Sequence, residues 1–192
     1  MKLIGDGGIV SCNTPDTIDA IMLTKNLDFV DGVKIDVRKT KDNVLVLSKY
    51  DELNKFTLCN KKISQCNYDY LRKVKFPSHI FKYYIPMLSE VLDKYDKKKM
   101  IIIELYNDDD QNSLINELYY ILKKYSYNYY FISENKDILK KLIDYNFDEI
   151  GTIIDDNSNV KIIRNFSLDD EITLNDDIIL ITEYPEKIRK IM

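Results

Sequence analysis

An α/β fold on a parallel sheet, of the (β/α)8-barrel type and shortened or incomplete in its C-terminal half, is what the sequence predicts. Short apolar strand patterns alternate with helical stripes along most of the chain. About eight strand candidates can be counted, the number that closes a barrel. The chain has 192 residues, against about 250 for a typical barrel of this kind. The deficit falls between Ile154 and Ile178, where two strand candidates follow each other with almost no helix between them.

Residues 2–5 read as a first strand, with Asp6-Gly7-Gly8 as the loop at its C-terminal end. Asp16 or Thr14 is the expected cap of a helix over 17–26. Residues 32–53 form the most regular stretch. Val33, Ile35 and Val37 alternate with Lys34, Asp36 and Arg38, the period of a strand. Asp42-Asn43 suits a turn, because both tolerate left-handed backbone, and 44–47 is a continuous apolar run expected as a strand buried on both faces. Residues 52–84 are irregular, with helix near 68–74 and a break at Pro77. A helix over 88–96, with Ser89 as a cap, precedes a buried strand at 100–106. The pattern predicts helix at 112–125, strand at 129–133 and helix at 138–145. Strands at 150–154, 160–163 and 178–182 follow, and Pro185 suits the first position of a last helix that ends near Met192.

The length suits one domain, 1–192, with a core of its own. A net charge of −4 gives no electrostatic footprint for nucleic acid. The lysines are interleaved with Asp and Glu and read as solvated surface. Cys12, Cys59 and Cys66 are an odd number without Cys-x-x-Cys spacing, so free thiols in a reducing cytosol are expected. With no signal-like start and no run near the ~20 apolar residues of a membrane span, the sequence reads as cytoplasmic. The run Asp108-Asp109-Asp110 lacks the spacing of a calcium loop and reads as the start of a helix. The tyrosine clusters read as packing residues.

Residues 32–51 resemble the core motif of the glycerophosphodiester phosphodiesterase family, G-V-E-x-D-V-x-x-T-K-D-G-x-x-V-V-x-H-D. Gly32-Val33, Asp36-Val37, Thr40-Lys41-Asp42, Val44, Val46 and Asp51 fit it. Further segments resemble family motifs in the same order: Ile4-Gly5-Asp6-Gly7-Gly8, Thr17-Ile18-Asp19-Ala20-Ile21, Ile85-Pro86-Met87-Leu88-Ser89-Glu90-Val91-Leu92, Ile102-Ile103-Glu104-Leu105 and Ile181-Thr182-Glu183-Tyr184-Pro185. Residues 157–177 match poorly, and closure of the barrel there is left open. The resemblance implies a TIM-like barrel and a site with two histidines for acid–base work, three carboxylates on calcium or magnesium, and an arginine on the phosphate.

Carried over residue by residue, the resemblance places Asp6 and Tyr50 at the histidine positions and Gly7 at the arginine position. Lys34 stands at the first metal carboxylate and Tyr106 at a lysine. Asp36, Glu104 and Asp51 are retained. His79 is the one histidine of the chain and reads as a surface or packing residue. The Lys34 ammonium is expected to pair Asp36 and Glu104 in place of a metal, because two buried carboxylates need a cation. The resemblance therefore implies no cofactor, or calcium or magnesium if activity is retained. Three readings stand: a pseudoenzyme binding a small phosphate-containing ligand or a partner, an active phosphodiester hydrolase with an altered site, and a protein-interaction module or homodimer using an uncovered apolar face.

Overall fold

The structure, a computed structural model, describes residues 1–11, 13–55, 57–74, 84–106, 110–164 and 178–188. Cys12, Pro77, His79, Asp108, Asp109, the 165–177 part of the poorly matching region and the end of the last helix lie outside them.

Alternating side chains build the sheet. β1 (Lys2–Asp6), β2 (Gly32–Lys39), β4 (Met100–Leu105), β5 (Asn128–Ile132), β6 (Gly151–Ile153), β7 (Lys161–Arg164) and β8 (Ile178–Thr182) are parallel. Their order is β6-β5-β4-β2-β1-β8-β7. The eighth strand that the sequence suggests is β3 (Leu45–Leu47), and it runs antiparallel as a hairpin arm on the end of β2. A two-strand hairpin follows from the short Asp42-Asn43 turn, with Asn43 at φ 62°, since a parallel crossover needs a dozen or more residues. The sheet therefore holds seven parallel strands among the described residues. β6 and β7, its two ends, are not hydrogen-bonded to each other. A cavity of about 680 Å³ lies at that seam, lined by Ile132, Leu139, Ile154, Asp156, Ile162 and Arg164 among others.

Helices α1 (Ile18–Lys25), α3 (Leu88–Leu92), α4 (Gln111–Leu122) and α5 (Lys136–Asp144) cover the outer face of the sheet, and α2 (Tyr68–Leu71) and α6 (Pro185–Ile188) are single turns. Val33, Ile35, Val37, Ile101, Ile103, Tyr129 and Phe131 point outward into the main core, against Ile21, Leu88, Leu118 and Leu142. The opposite parity, Ile4, Ile102, Ile132, Ile179 and Ile181, fills the inside of the curled sheet. A third cluster, with Val46, Leu53, Ile63 and Leu71, anchors the irregular segment after β3.

Helix ends follow side-chain chemistry. Thr17, not Asp16 or Thr14, caps α1 by accepting from Ala20 N. The Thr14 carbonyl instead accepts from the Thr17 hydroxyl at 2.7 Å. α3 begins one residue before Ser89, and Glu90 caps it by accepting from Met87 N at 2.9 Å. Asp110 caps α4. No helix among the described residues is long and apolar enough to cross a membrane.

Candidate functional site

The face of β2 that turns away from the helices carries Lys34, Asp36 and Arg38, because side chains two apart share a face of a strand. Parallel register sets Asp6 beside Lys34 and Asp36 beside Glu104. Four charged groups thus meet inside the curled sheet, at the C-terminal ends of three neighbouring strands. Lys34 Nζ lies 2.6 Å from Asp36 Oδ1, 2.7 Å from Glu104 Oε2 and 3.1 Å from Asp6 Oδ1. Lys34, Asp36 and Glu104 are each 2% exposed or less.

Two more groups complete the cluster. Arg164, last residue of β7, reaches across the interior and donates to Glu104 Oε1 at 2.8 Å. The Tyr106 hydroxyl donates to Asp36 Oδ1. The Arg38 guanidinium sits 4.6 Å above the Tyr106 ring and donates to the carbonyls of Ser48 and Lys49 at 3.2 and 2.8 Å. It thereby ties β2 to the segment carrying Tyr50.

Burial alone would lower the Lys34 pKa. Asp36 and Asp6, with Tyr106 and Glu104 behind them, outweigh burial and hold the ammonium well above the ordinary lysine range. The Tyr106 hydroxyl is pushed up by burial and by the Asp36 charge, so it remains a donor. Asp16, buried beneath the cluster, is raised well above the ordinary carboxylate range by burial first and by Asp36 second. Its Oδ1 accepts from Asp36 N at 3.4 Å, and its backbone is left-handed, at φ 57°. Asp16 N donates to Gly7 O at 2.9 Å, and Gly7 N donates to Lys34 O at the same distance.

Of the residues singled out in the sequence, Asp6, Lys34, Asp36, Glu104 and Tyr106 come together. Gly7 serves the loop: its φ is +64°, and a Cβ there would stand 2.8 Å from that of Pro15. Tyr50 is 43% exposed and borders a separate pocket of about 240 Å³, whose lining includes Thr14, Asp16, Lys49, Lys55 and Glu183. Asp51 turns elsewhere, accepting from Ser64 N and Oγ at 3.0 and 3.1 Å with Lys62 at 3.8 Å, which pins the following loop. Arg38 was legible from its shared parity with Lys34 and Asp36. Asp16, read as a cap, and Arg164, remote in sequence, carried no such signal.

A divalent ion needs carboxylate oxygens at about 2.0–2.6 Å from one point. Here an ammonium holds the space between the carboxylates. Among the described residues no group of three or more His, Cys, Asp or Glu side chains is arranged to hold a metal ion.

A parallel sheet curled round a charged centre at the C-terminal strand ends defines a barrel of the (β/α) class. The model of the glycerophosphoryl diester phosphodiesterase family matches residues 15–168, and the chain belongs to that family. Solved structures agree on the fold. A phosphodiesterase from Oleispira antarctica, in complex with the product sn-glycerol-3-phosphate, superposes with a TM-score of 0.80 at 17% identity, covering 99% of this chain and 96% of that one. A putative glycerophosphodiester phosphodiesterase from Galdieria sulphuraria gives 0.77 at 13% identity, with 99% and 96% covered. The Thermotoga maritima glycerophosphodiester phosphodiesterase gives 0.73 at 21% identity, with 99% and 97% covered. No curated protein matches the sequence.

Proposed function

We propose that this chain keeps the family scaffold but has lost its hydrolytic chemistry, and that it acts as a pseudoenzyme binding a small phosphate-containing ligand at the mouth of the barrel. The observation that carries this is the fate of the two acid–base positions. Asp6 is committed to an ion pair with buried Lys34, and Tyr50 stands at the solvent edge of a different pocket. A chain with one histidine cannot supply a pair. General acid–base groups contribute about 10²–10⁴-fold each, so losing both leaves little turnover. Lys49 and Lys55 beside Tyr50 supply positive charge for a phosphate group.

Turnover of glycerophosphocholine and of an aryl phosphodiester tests this, with calcium, magnesium or manganese and with chelator. No turnover by folded protein is expected under any of these conditions. Hydrolysis abolished by Asp36→Ala and Glu104→Ala would overturn the reading. One observation favours a retained hydrolase as the second reading: Asp16, whose carboxyl burial and the Asp36 charge hold well above the ordinary carboxylate range, lines the Tyr50 pocket and is a candidate general acid. That version requires turnover that Asp16→Asn removes.

A further inference from the structure

The pseudoenzyme reading leaves the charged centre itself unexplained. A lysine that water cannot reach stands among three carboxylates, and none of these groups faces the Tyr50 pocket as a catalyst would. Resting on the same placement of the site, we infer that Lys34 is a built-in cation: its ammonium takes the position a divalent ion would need between Asp6, Asp36 and Glu104, and the chain holds no metal there unless that charge is removed.

Three features of the cluster carry this. The first is position. Nζ contacts one oxygen from each of three carboxylates on three adjacent strands, within 2.6–3.1 Å. The side chain starts on β2, in register with Asp6 and two residues before Asp36, so it reaches the carboxylates along the barrel interior. The second is dependence. Glu104 Oε2 is buried and makes no hydrogen bond among the described residues. The Lys34 ammonium at 2.7 Å is its ion-pair partner, a contact made by charge and proximity rather than by hydrogen-bond alignment. Without Lys34 that oxygen is an orphaned buried charge. The third is charge balance. Asp6, Asp36 and Glu104 face Lys34 and Arg164. Removing the ammonium leaves three carboxylates against one guanidinium, and a carboxylate in its place would leave four. Either arrangement selects for a small hard cation with oxygen ligands.

Lys34→Glu and Lys34→Gln, compared with the wild type by calorimetric titration with calcium or magnesium chloride and by thermal unfolding with and without chelator, test the inference. The wild-type Tm is expected to ignore both ions and the chelator. Lys34→Glu should unfold at a lower temperature in chelator and recover by several degrees in calcium, as a ligand that binds the folded state requires. Adding Glu104→Gln to that variant should erase the recovery. Micromolar calcium or magnesium binding by the wild type that Glu104→Gln abolishes would overturn the inference. So would folded Lys34→Glu and Lys34→Gln proteins that both ignore the ions, and so would a Lys34→Glu chain that stays unfolded in calcium. Failure here is separable from failure of the functional reading. Metal-free hydrolysis by the wild type overturns silence and leaves the built-in cation standing, whereas ion binding by a silent wild type does the reverse.

Discussion

Lys34 is a charge whose loss is expected to harm the protein more than its presence helps it. Breaking a buried ion pair by removing one partner leaves the other uncompensated, at about 3–5 kcal/mol. Lys34→Met is therefore expected to lower the unfolding free energy by roughly that amount in urea titrations without added metal. Asp16 behaves differently. Its folded pKa lies above the unfolded value, because burial and Asp36 disfavour its charged form. Such a group contributes fully in acid, and its contribution is lost as pH rises through the folded pKa. Asp16→Asn has no proton to lose, so its Tm is expected to exceed that of the wild type in the alkaline part of a pH series and to lose that advantage in acid. A flat difference across the series would contradict this. The Lys34 contribution stays through the neutral range, since its pKa is raised above the ordinary lysine value. Legibility at this scale followed strand parity. Lys34, Asp36 and Arg38 could be placed on one face from sequence alone, whereas Asp16 reaches the same centre through a left-handed loop residue that no periodicity marks.

Among the elements, β5 carries the clearest unresolved cost. Tyr129 is buried in the helix-side core, stacked against Phe131, and its hydroxyl has no hydrogen-bond partner among the described residues. An unsatisfied buried polar group costs about 1–3 kcal/mol. Tyr129→Phe is expected to keep the ring contacts and raise stability by about 1 kcal/mol or more in urea unfolding; a loss would show that the hydroxyl is satisfied in solution. The first loop makes the opposite demand. Gly8 has φ +103°, and a Cβ there would lie 2.3 Å from the backbone of Ala20. Gly8→Ala should therefore undock α1 from the sheet and lower Tm by several degrees in a thermal scan. Strand positions could be read well because apolar runs are contiguous. Caps could not, since Thr17 and Glu90 won their helix ends through contacts that several neighbouring polar residues could equally have made.

At the scale of the whole molecule, the α/β order was legible from alternation, and the short C-terminal half was legible from length. The number of parallel strands was not, because a hairpin arm and a barrel strand share the same apolar signature and only the turn length separates them. The ends of the sheet, β6 and β7, each have one hydrogen-bonded neighbour among the described residues. Their amides are expected to exchange with deuterium well before those of β2 and β4, which are paired on both sides. Uniform protection across all seven strands would show that the seam is covered in solution.

The buried cluster has one more consequence, for how the chain finds its own alignment. Apolar alternation rejects a β2 displaced by one residue, since Lys34, Asp36 and Arg38 would then press into the helix-side core. It is blind to a displacement by two, which returns every side chain to its proper face. The ions are not blind to it. Two residues amount to about 6–7 Å along a strand, enough to pull the Lys34 ammonium away from its present contacts with Asp6 and Glu104 and leave the buried Glu104 Oε2 without its ion-pair partner. The same ion pairs that add little net stability thus act as a key, fitting a single alignment of three neighbouring strands and leaving the near-misses unpaired.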